Sequence, residues 1–186
     1  MRKWLLYILM VLLYVSTVRA QDVGSVQILG TESIEGRLVL GPFFPDDPET
    51  DLLAHVGGEV NIDPGEGDTV TTSDGTILIW KQYADSGVFV TLQDTLGKHR
   101  SATGYVFCLL KSDVAGNAQI FFGNSGPVVV WVNGERVHSN HRGISHASST
   151  FAVNLKAGAN RCLVKLSSGL NAWTVATWGR IRADNR

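Results

Sequence analysis

Beyond Ala20 the chain predicts an all-β fold, a sandwich or barrel of short strands. Three observations predict it. Helical periodicity is nearly absent after the leader, runs rich in β-branched and aromatic residues follow one another, and Asn, Gly and Asp turns separate them. Many short strands punctuated in this way are the pattern of two packed sheets or a closed one.

The leader comes first. Arg2 and Lys3 form a short positive region, Trp4 to Val18 is an apolar run broken only by Ser16 and Thr17, and Val18-Arg19-Ala20 sets small or β-branched residues before Gln21. That is the layout of a secretory signal peptide over residues 1–20, removed before Gln21. The apolar run is short for a bilayer span, which takes about 20 residues. No Cys follows it to accept a lipid, and no other long apolar segment occurs, so no membrane span is expected after signal removal. The expected location is secreted or periplasmic.

Residues 21–186 have the length of a single domain. Three of the 16 basic residues lie in the leader, so 13 face 17 acidic ones and the mature chain carries −4. A mildly acidic exported domain offers no basic face for phosphates, which excludes nucleic acid as a partner.

The strand-like runs are Arg37–Leu40, Thr76–Tyr83, Val88–Leu92, Thr103–Leu110, Ala118–Phe122, Val128–Val132, Thr150–Leu155, Arg161–Leu166 and Trp173–Ile181. Alternation is clear in two of them. Phe151, Val153 and Leu155 fall on one face, and Cys162, Val164 and Leu166 fall opposite Arg161, Leu163 and Lys165. Between the runs, Asn133-Gly134 is the strongest turn, because both central positions of a type I′ turn need positive φ. Asp74-Gly75, Gly123–Gly126 and Ala157–Asn160 punctuate similarly.

One stretch differs. Pro42–Asp68 holds eight carboxylates, four prolines and no Lys or Arg. It reads as an ordered surface excursion with one helical turn near Thr50–His55, of a length that is usually functional or mobile.

Several motifs carry a family resemblance. Arg37–Phe43 resembles a "W-x-V-x-G-P-F" opening, followed by Thr50-Asp-Leu-Leu and Gly57-Gly-Glu59. Ile79-Trp-Lys81 and Gly87–Leu92 are similar to the next two strands. Val130–His138 matches a "V-W-x-N-G-x-x-V-H" hairpin, and Leu155–Leu166 looks like an "L-x-x-G-x-N-x-x-L-V-K-V" turn and strand. In this order they resemble the galactose-binding-like module of exported bacterial proteins, often found beside glycoside hydrolases and other polymer-degrading domains. The resemblance covers residues 34–182. It implies a jelly-roll β-sandwich and an accessory, non-catalytic role. Two departures stand out: Asn124-Ser125-Gly126-Pro127 replaces an Asp-Asp-Gly turn, and Asn171, Ala172 and Thr174 replace glycines around Trp173.

Candidate binding residues follow from sugar chemistry, in which an apolar ring face stacks on an aromatic and polar side chains take the hydroxyls. Trp173 beside Asn171 is the leading platform, Trp178 near Arg180 the second. Asn140, His141 and Arg142 form the expected polar rim, within a stretch that also holds His138 and His146. Trp80 and Trp131, each flanked by strand residues, read as packing. Asp46, Asp47, Glu49 and Asp51 are weak calcium candidates, a hard cation needing several converging oxygens. No cofactor is otherwise implied. Cys108 and Cys162 are a disulfide candidate in an exported chain, or else two small buried hydrophobes.

Catalytic signatures are missing: the chain has no Gly-x-Ser-x-Gly elbow, no HExxH and no phosphate loop. The expected function is a non-catalytic carbohydrate-binding or accessory module. The rivals are a structural β-sandwich that docks another exported protein and, behind it, a small hydrolase. The expected partner is a glycan or polysaccharide, or that exported protein.

Overall fold

A computed structural model describes residues 26–29, 34–84, 89–141, 147–168 and 174–182. The leader, Asn171, Trp173, Arg142 and His146 lie outside them. The strands are β1 (Val26–Leu29), β2 (Ile34–Phe43), β3 (Thr69–Thr71), β4 (Ile77–Ile79), β5 (Lys81–Gln82) and β6 (Phe89–Thr91). A short helix α1 (Leu92–Leu96) follows, then β7 (Thr103–Ser112), β8 (Gly116–Asn124), β9 (Val128–Val132), β10 (Glu135–Asn140), β11 (Ala147–Leu155), β12 (Gly158–Ser167) and β13 (Thr174–Arg182). The all-β class is as expected. Among the described residues no helix is long and apolar enough to cross a membrane.

Two antiparallel sheets make the body. One is five-stranded, β1-β13-β8-β11 with β6 also on β13; the other is six-stranded, β10-β9-β12-β7-β2-β5. Alternation in the sequence sets which residues fill the space between them. Val106, Val130, Val164 and Leu166 from the six-stranded sheet pack with Ile120 and Phe122 from the five-stranded one. His138 closes one side of this core, its ring stacked on Phe151 at 4.8 Å between centroids. Burial holds its imidazole below the ordinary value. The signature His is therefore a packing residue.

The run Thr76–Tyr83, expected as one strand, is split at Trp80. Ile77–Ile79 pair with β3 in a separate two-stranded ribbon, while Lys81 and Gln82 pair with β2. Trp80 is the joint: its N–H donates to the Asp68 carbonyl and its own carbonyl accepts from Gly67 N, both at 2.9 Å. Its indole is buried, as is that of Trp131, in agreement with the packing reading.

The larger departure concerns the six-stranded sheet's other face, which is covered. Leu38, Leu40, Tyr105, Phe107, Trp131 and Leu163 turn away from the first core and form a second one with Leu53, Val70, Leu78 and Trp80 of the excursion and ribbon. The acidic stretch is thus the lid of a second apolar cluster. Its helical turn is a single 3-10 turn, Ala54–Val56.

Cys108 and Cys162 are directly opposed in the β7–β12 register, and both are buried. They are free thiols in the structure. A hydrogen bond with Cys108, together with burial, pushes the Cys162 thiol well above its ordinary value.

The β9–β10 turn is the type I′ form its Asn-Gly predicts, with Asn133 at φ 51° and Gly134 at φ 85°. Gly134 is also pinned by the excursion, since a Cβ there would sit 2.5 Å from the Val60 carbonyl oxygen. Gly75 has a similar φ of 86° but open space around it. Gly134→Ala is therefore expected to destabilise by about 3 kcal/mol, against about 1 kcal/mol for Gly75→Ala, where only backbone strain acts. Urea denaturation of the two variants checks this, and equal losses would show that the lid does not press on the turn.

Candidate functional site

The lid is held by its own carboxylates and by the outward row of β12. Asp47 Oδ1 accepts from Glu49 N at 2.9 Å and Thr50 N at 3.0 Å, a local turn that short acidic side chains favour. The Thr50 hydroxyl leads the contacts holding the Asp47 carboxyl below the ordinary range. Asp51 accepts from Leu53 N at 2.9 Å and, with both oxygens, from Glu59 N at 3.2 Å. Asp68 Oδ2 takes Gly65 N at 2.7 Å. Acidic residues are frequent here because this irregular backbone needs acceptors.

From the sheet, Arg161 donates to the carbonyls of Asn61 at 2.8 Å and Ile62 at 3.3 Å. Lys165, 1% exposed, donates to the Thr50 carbonyl and pairs with Glu59 Oε1 at 3.1 Å. The Tyr105 hydroxyl donates to the same oxygen at 2.6 Å. Burial pushes the Glu59 carboxyl above its ordinary value, with Tyr105 and Lys165 pulling the other way. Burial and the neighbouring Glu59 push the Tyr105 phenol far up, so it stays a donor. Arg161, Leu163 and Lys165, one face of an alternating strand, thus all serve the lid.

Between the lid and the β3–β4 ribbon lies an open cleft of about 530 Å³. Phe44, 59% exposed, stands on one wall with its ring edge-on to His99 at 5.4 Å. The lid adds Thr50, Asp51 and His55, and the ribbon adds Thr72, Ser73, Asp74 and Thr76. The ribbon's turn is tightly made: Thr72 N donates to the Thr76 carbonyl at 2.8 Å, and Asp74 Oδ1 accepts Thr76 N at 3.1 Å together with the Thr72 hydroxyl. The Thr72 hydroxyl is the first cause of an Asp74 carboxyl held below the ordinary range. The cleft therefore pairs one accessible aromatic ring with hydroxyls, an imidazole and two carboxylates, and both carboxylates are fixed in place by backbone N–H groups.

The expected rim is placed in part. Asn140 ends β10, and His141 follows it with Nδ1 at 3.0 Å from Glu49 Oε1 and Nε2 at 3.3 Å from Arg136. This exposed pair joins β10 to the lid beside Thr50, a cleft residue. Trp178 is the register partner of Phe121 on the five-stranded sheet. Trp173, Asn171 and Arg142 lie outside the described residues.

The calcium candidates do not converge. Asp46 accepts from the Thr103 hydroxyl at 3.2 Å, Asp47 caps its own turn, Glu49 meets His141 and Asp51 holds the Glu59 amide. Among the described residues no group of three or more His, Cys, Asp or Glu is placed to hold a metal ion. The physical reason is that each carboxylate is already spent on a different partner.

Phe44, His55, Asp74, Thr72 and Thr76 are absent from the sequence-based set. The signals were present but plain: a Phe pair bracketed by Pro42 and Pro45, and a Thr-Thr-Ser-Asp run entering a Gly turn.

No protein-family model matches the chain, and no curated protein matches it. Among solved structures it is similar to the β-glucosidase from Kluyveromyces marxianus at 16% identity and TM-score 0.43, covering 64% of this chain and 16% of that one. It is similar to a family 35 carbohydrate binding module from Clostridium thermocellum at 12% identity and TM-score 0.36, covering 86% and 98% of the two chains. A β-glucuronidase from Ruminococcus gnavus gives 13% identity and TM-score 0.48, covering 86% of this chain and 29% of that one. The chain thus spans about 16% of the β-glucosidase's length. Identity and TM-score are low throughout, so the fold rests on the chain's own sheets and register.

Proposed function

We propose that this chain is an exported, non-catalytic module of jelly-roll type that binds carbohydrate in the cleft between the lid and the β3–β4 ribbon. The observation that carries the reading is the exposed Phe44 ring set among the Thr72, Thr76 and His55 side chains. A sugar's apolar face stacks on such a ring while its hydroxyls meet the surrounding polar groups. The leader pattern of Arg2 to Ala20 supports export, and the motif order from Arg37 to Leu166 supports the jelly roll and the accessory role.

A binding role also fits the carboxylates better than hydrolysis does. Glycoside hydrolysis needs one carboxyl protonated near neutral pH, which requires a raised pKa. Asp74 is held below the ordinary range by the hydrogen bonds it accepts, and Asp51 has both oxygens occupied by backbone amides. The raised carboxyl, Glu59, is buried beneath Tyr105 and Lys165.

A second reading has one observation in its favour. Ile77 and Ile79 on the ribbon are 63% and 45% exposed, an apolar edge that suits docking of another exported protein.

The test is a glycan array with the protein secreted from its own leader, repeated with Phe44→Ala and Trp173→Ala. Phe44→Ala is expected to weaken binding at least about tenfold, the scale of one lost stacking contact, with Trp173→Ala unchanged. Loss with Trp173→Ala alone would move the site to the rim. No glycan bound by folded protein would end the carbohydrate reading and leave the docking one.

A further inference from the structure

We propose that the cleft selects by charge, accepting neutral and amine-bearing saccharides and rejecting uronic and sulfated ones. The inference rests on the carbohydrate reading and assigns that site its ligand class.

The argument starts from what faces the ligand. Asp51 and Asp74 are the charged groups of the lining, one on each wall, with His55 beside them and no Lys or Arg among the lining residues. The surrounding sequence does not supply the missing cation, because nothing from Leu38 to Trp80 is Lys or Arg. Two cations of the sheet are engaged under the lid: Arg161 donates to Asn61 and Ile62, and Lys165 is buried against Glu59. Lys98 and Arg100 flank His99, which touches Phe44 from outside the lining.

The negative charge of Asp74 is also stabilised. Asp74 accepts from the Thr72 hydroxyl and Thr76 N, contacts that keep it ionised well into acid. Asp51 is locked by the Glu59 and Leu53 amides, its carboxylate held against the lid's own backbone. A ligand carboxylate or sulfate stacked on Phe44 would meet the fixed Asp74 charge, with no lysine or arginine in the lining to pair with. A protonated amine at the same place would be attracted.

Three soluble hexasaccharides test this on the secreted full chain at low ionic strength: a neutral β-glucan, a chitosan oligomer and an oligogalacturonate. The neutral and cationic sugars are expected to bind, with the anionic one at least about tenfold weaker. Asp74→Asn, which keeps an oxygen to accept Thr76 N, is expected to weaken chitosan more than the neutral sugar and to narrow the gap to the uronate. Added salt is expected to weaken chitosan binding alone. Phe44-dependent binding of the uronate as tight as that of the neutral sugar would overturn the charge rule while leaving the carbohydrate reading intact. No binding of any of the three, with the array also blank, would overturn both.

Discussion

Asn160→Ala is expected to cost about 3 kcal/mol of stability. The side chain is completely buried. Its Oδ1 accepts from Asn133 Nδ2 and Lys156 N, each at 2.8 Å. Its Nδ2 faces the carbonyls of Lys156 at 2.9 Å, Gly158 at 3.2 Å and Leu110 at 3.3 Å. One amide thereby closes the β11–β12 turn, ties it to the end of β7 and reaches across to the β9–β10 turn. Asn133 returns the link, its Oδ1 accepting Arg161 N at 3.1 Å. Truncation leaves several buried backbone groups without partners, each worth roughly 1–3 kcal/mol, partly recovered by relaxation. Chemical denaturation measures the loss. Asn160→Asp, which retains the acceptor and removes the donors, should fall between wild type and Ala. A loss below about 1 kcal/mol for Asn160→Ala would mean that water replaces the amide freely.

That network explains which parts of the fold were legible in the sequence. The Asn-Gly turn, the Gly158–Asn160 turn and the alternation of β12 are local codes, each set by φ preferences or by the two-residue period of a strand. The nature of the partner on each face is not local. Alternation separates Cys162, Val164 and Leu166 from Arg161, Leu163 and Lys165, but two of the second set are charged and look like a solvent face. The lid that covers them starts more than a hundred residues earlier in the chain. Its acidic composition reads as solvated surface, although its carboxylates mostly accept backbone N–H groups and its Leu53 is fully buried. The break at Trp80 was hidden for the same reason. Thr76–Tyr83 has uninterrupted β character, and only the long-range pairing of Ile77–Ile79 with β3 and of Lys81–Gln82 with β2 divides it.

The site was less legible than the fold. Ranking aromatics by size directs attention to the Trp residues, yet Trp80 and Trp131 are drawn into the second core because a large apolar ring is worth most where it is fully buried. Phe44 is exposed because its neighbour Phe43 takes the place in that core, edge-on to Tyr105 at 5.6 Å. Adjacent residues of an extended chain point to opposite sides, so only one of the pair can face inward. That choice depends on the lid's path. The link of His141 to Glu49 brings β10 to the lid, but the cleft's polar groups come from Thr50 to His55 and Thr72 to Thr76.

The second large effect is expected at the ion pair under the lid. Lys165→Met should destabilise by about 3 kcal/mol, since it leaves Glu59 buried without its cation. Lys165→Met combined with Glu59→Leu should be less damaging than Lys165→Met alone, because the pair's mutual attraction mainly offsets its own desolvation. The remaining losses in the double variant are the acceptor of the Tyr105 hydroxyl and the donor to the Thr50 carbonyl. Glu59→Gln adds a pH signature. Burial raises the Glu59 carboxyl in the folded chain, so the folded state binds a proton more readily than the unfolded one. Its contribution is complete below the ordinary glutamate value and is lost as pH rises through the raised one. The margin of wild type over Glu59→Gln should therefore be widest in acid and narrow toward neutrality, opposite in sign to Asp47, whose lowered carboxyl loses its contribution as pH falls. Denaturation of the single and double variants at several pH values reads both effects. A double variant as unstable as the sum of its singles would show that Lys165 and Glu59 act independently.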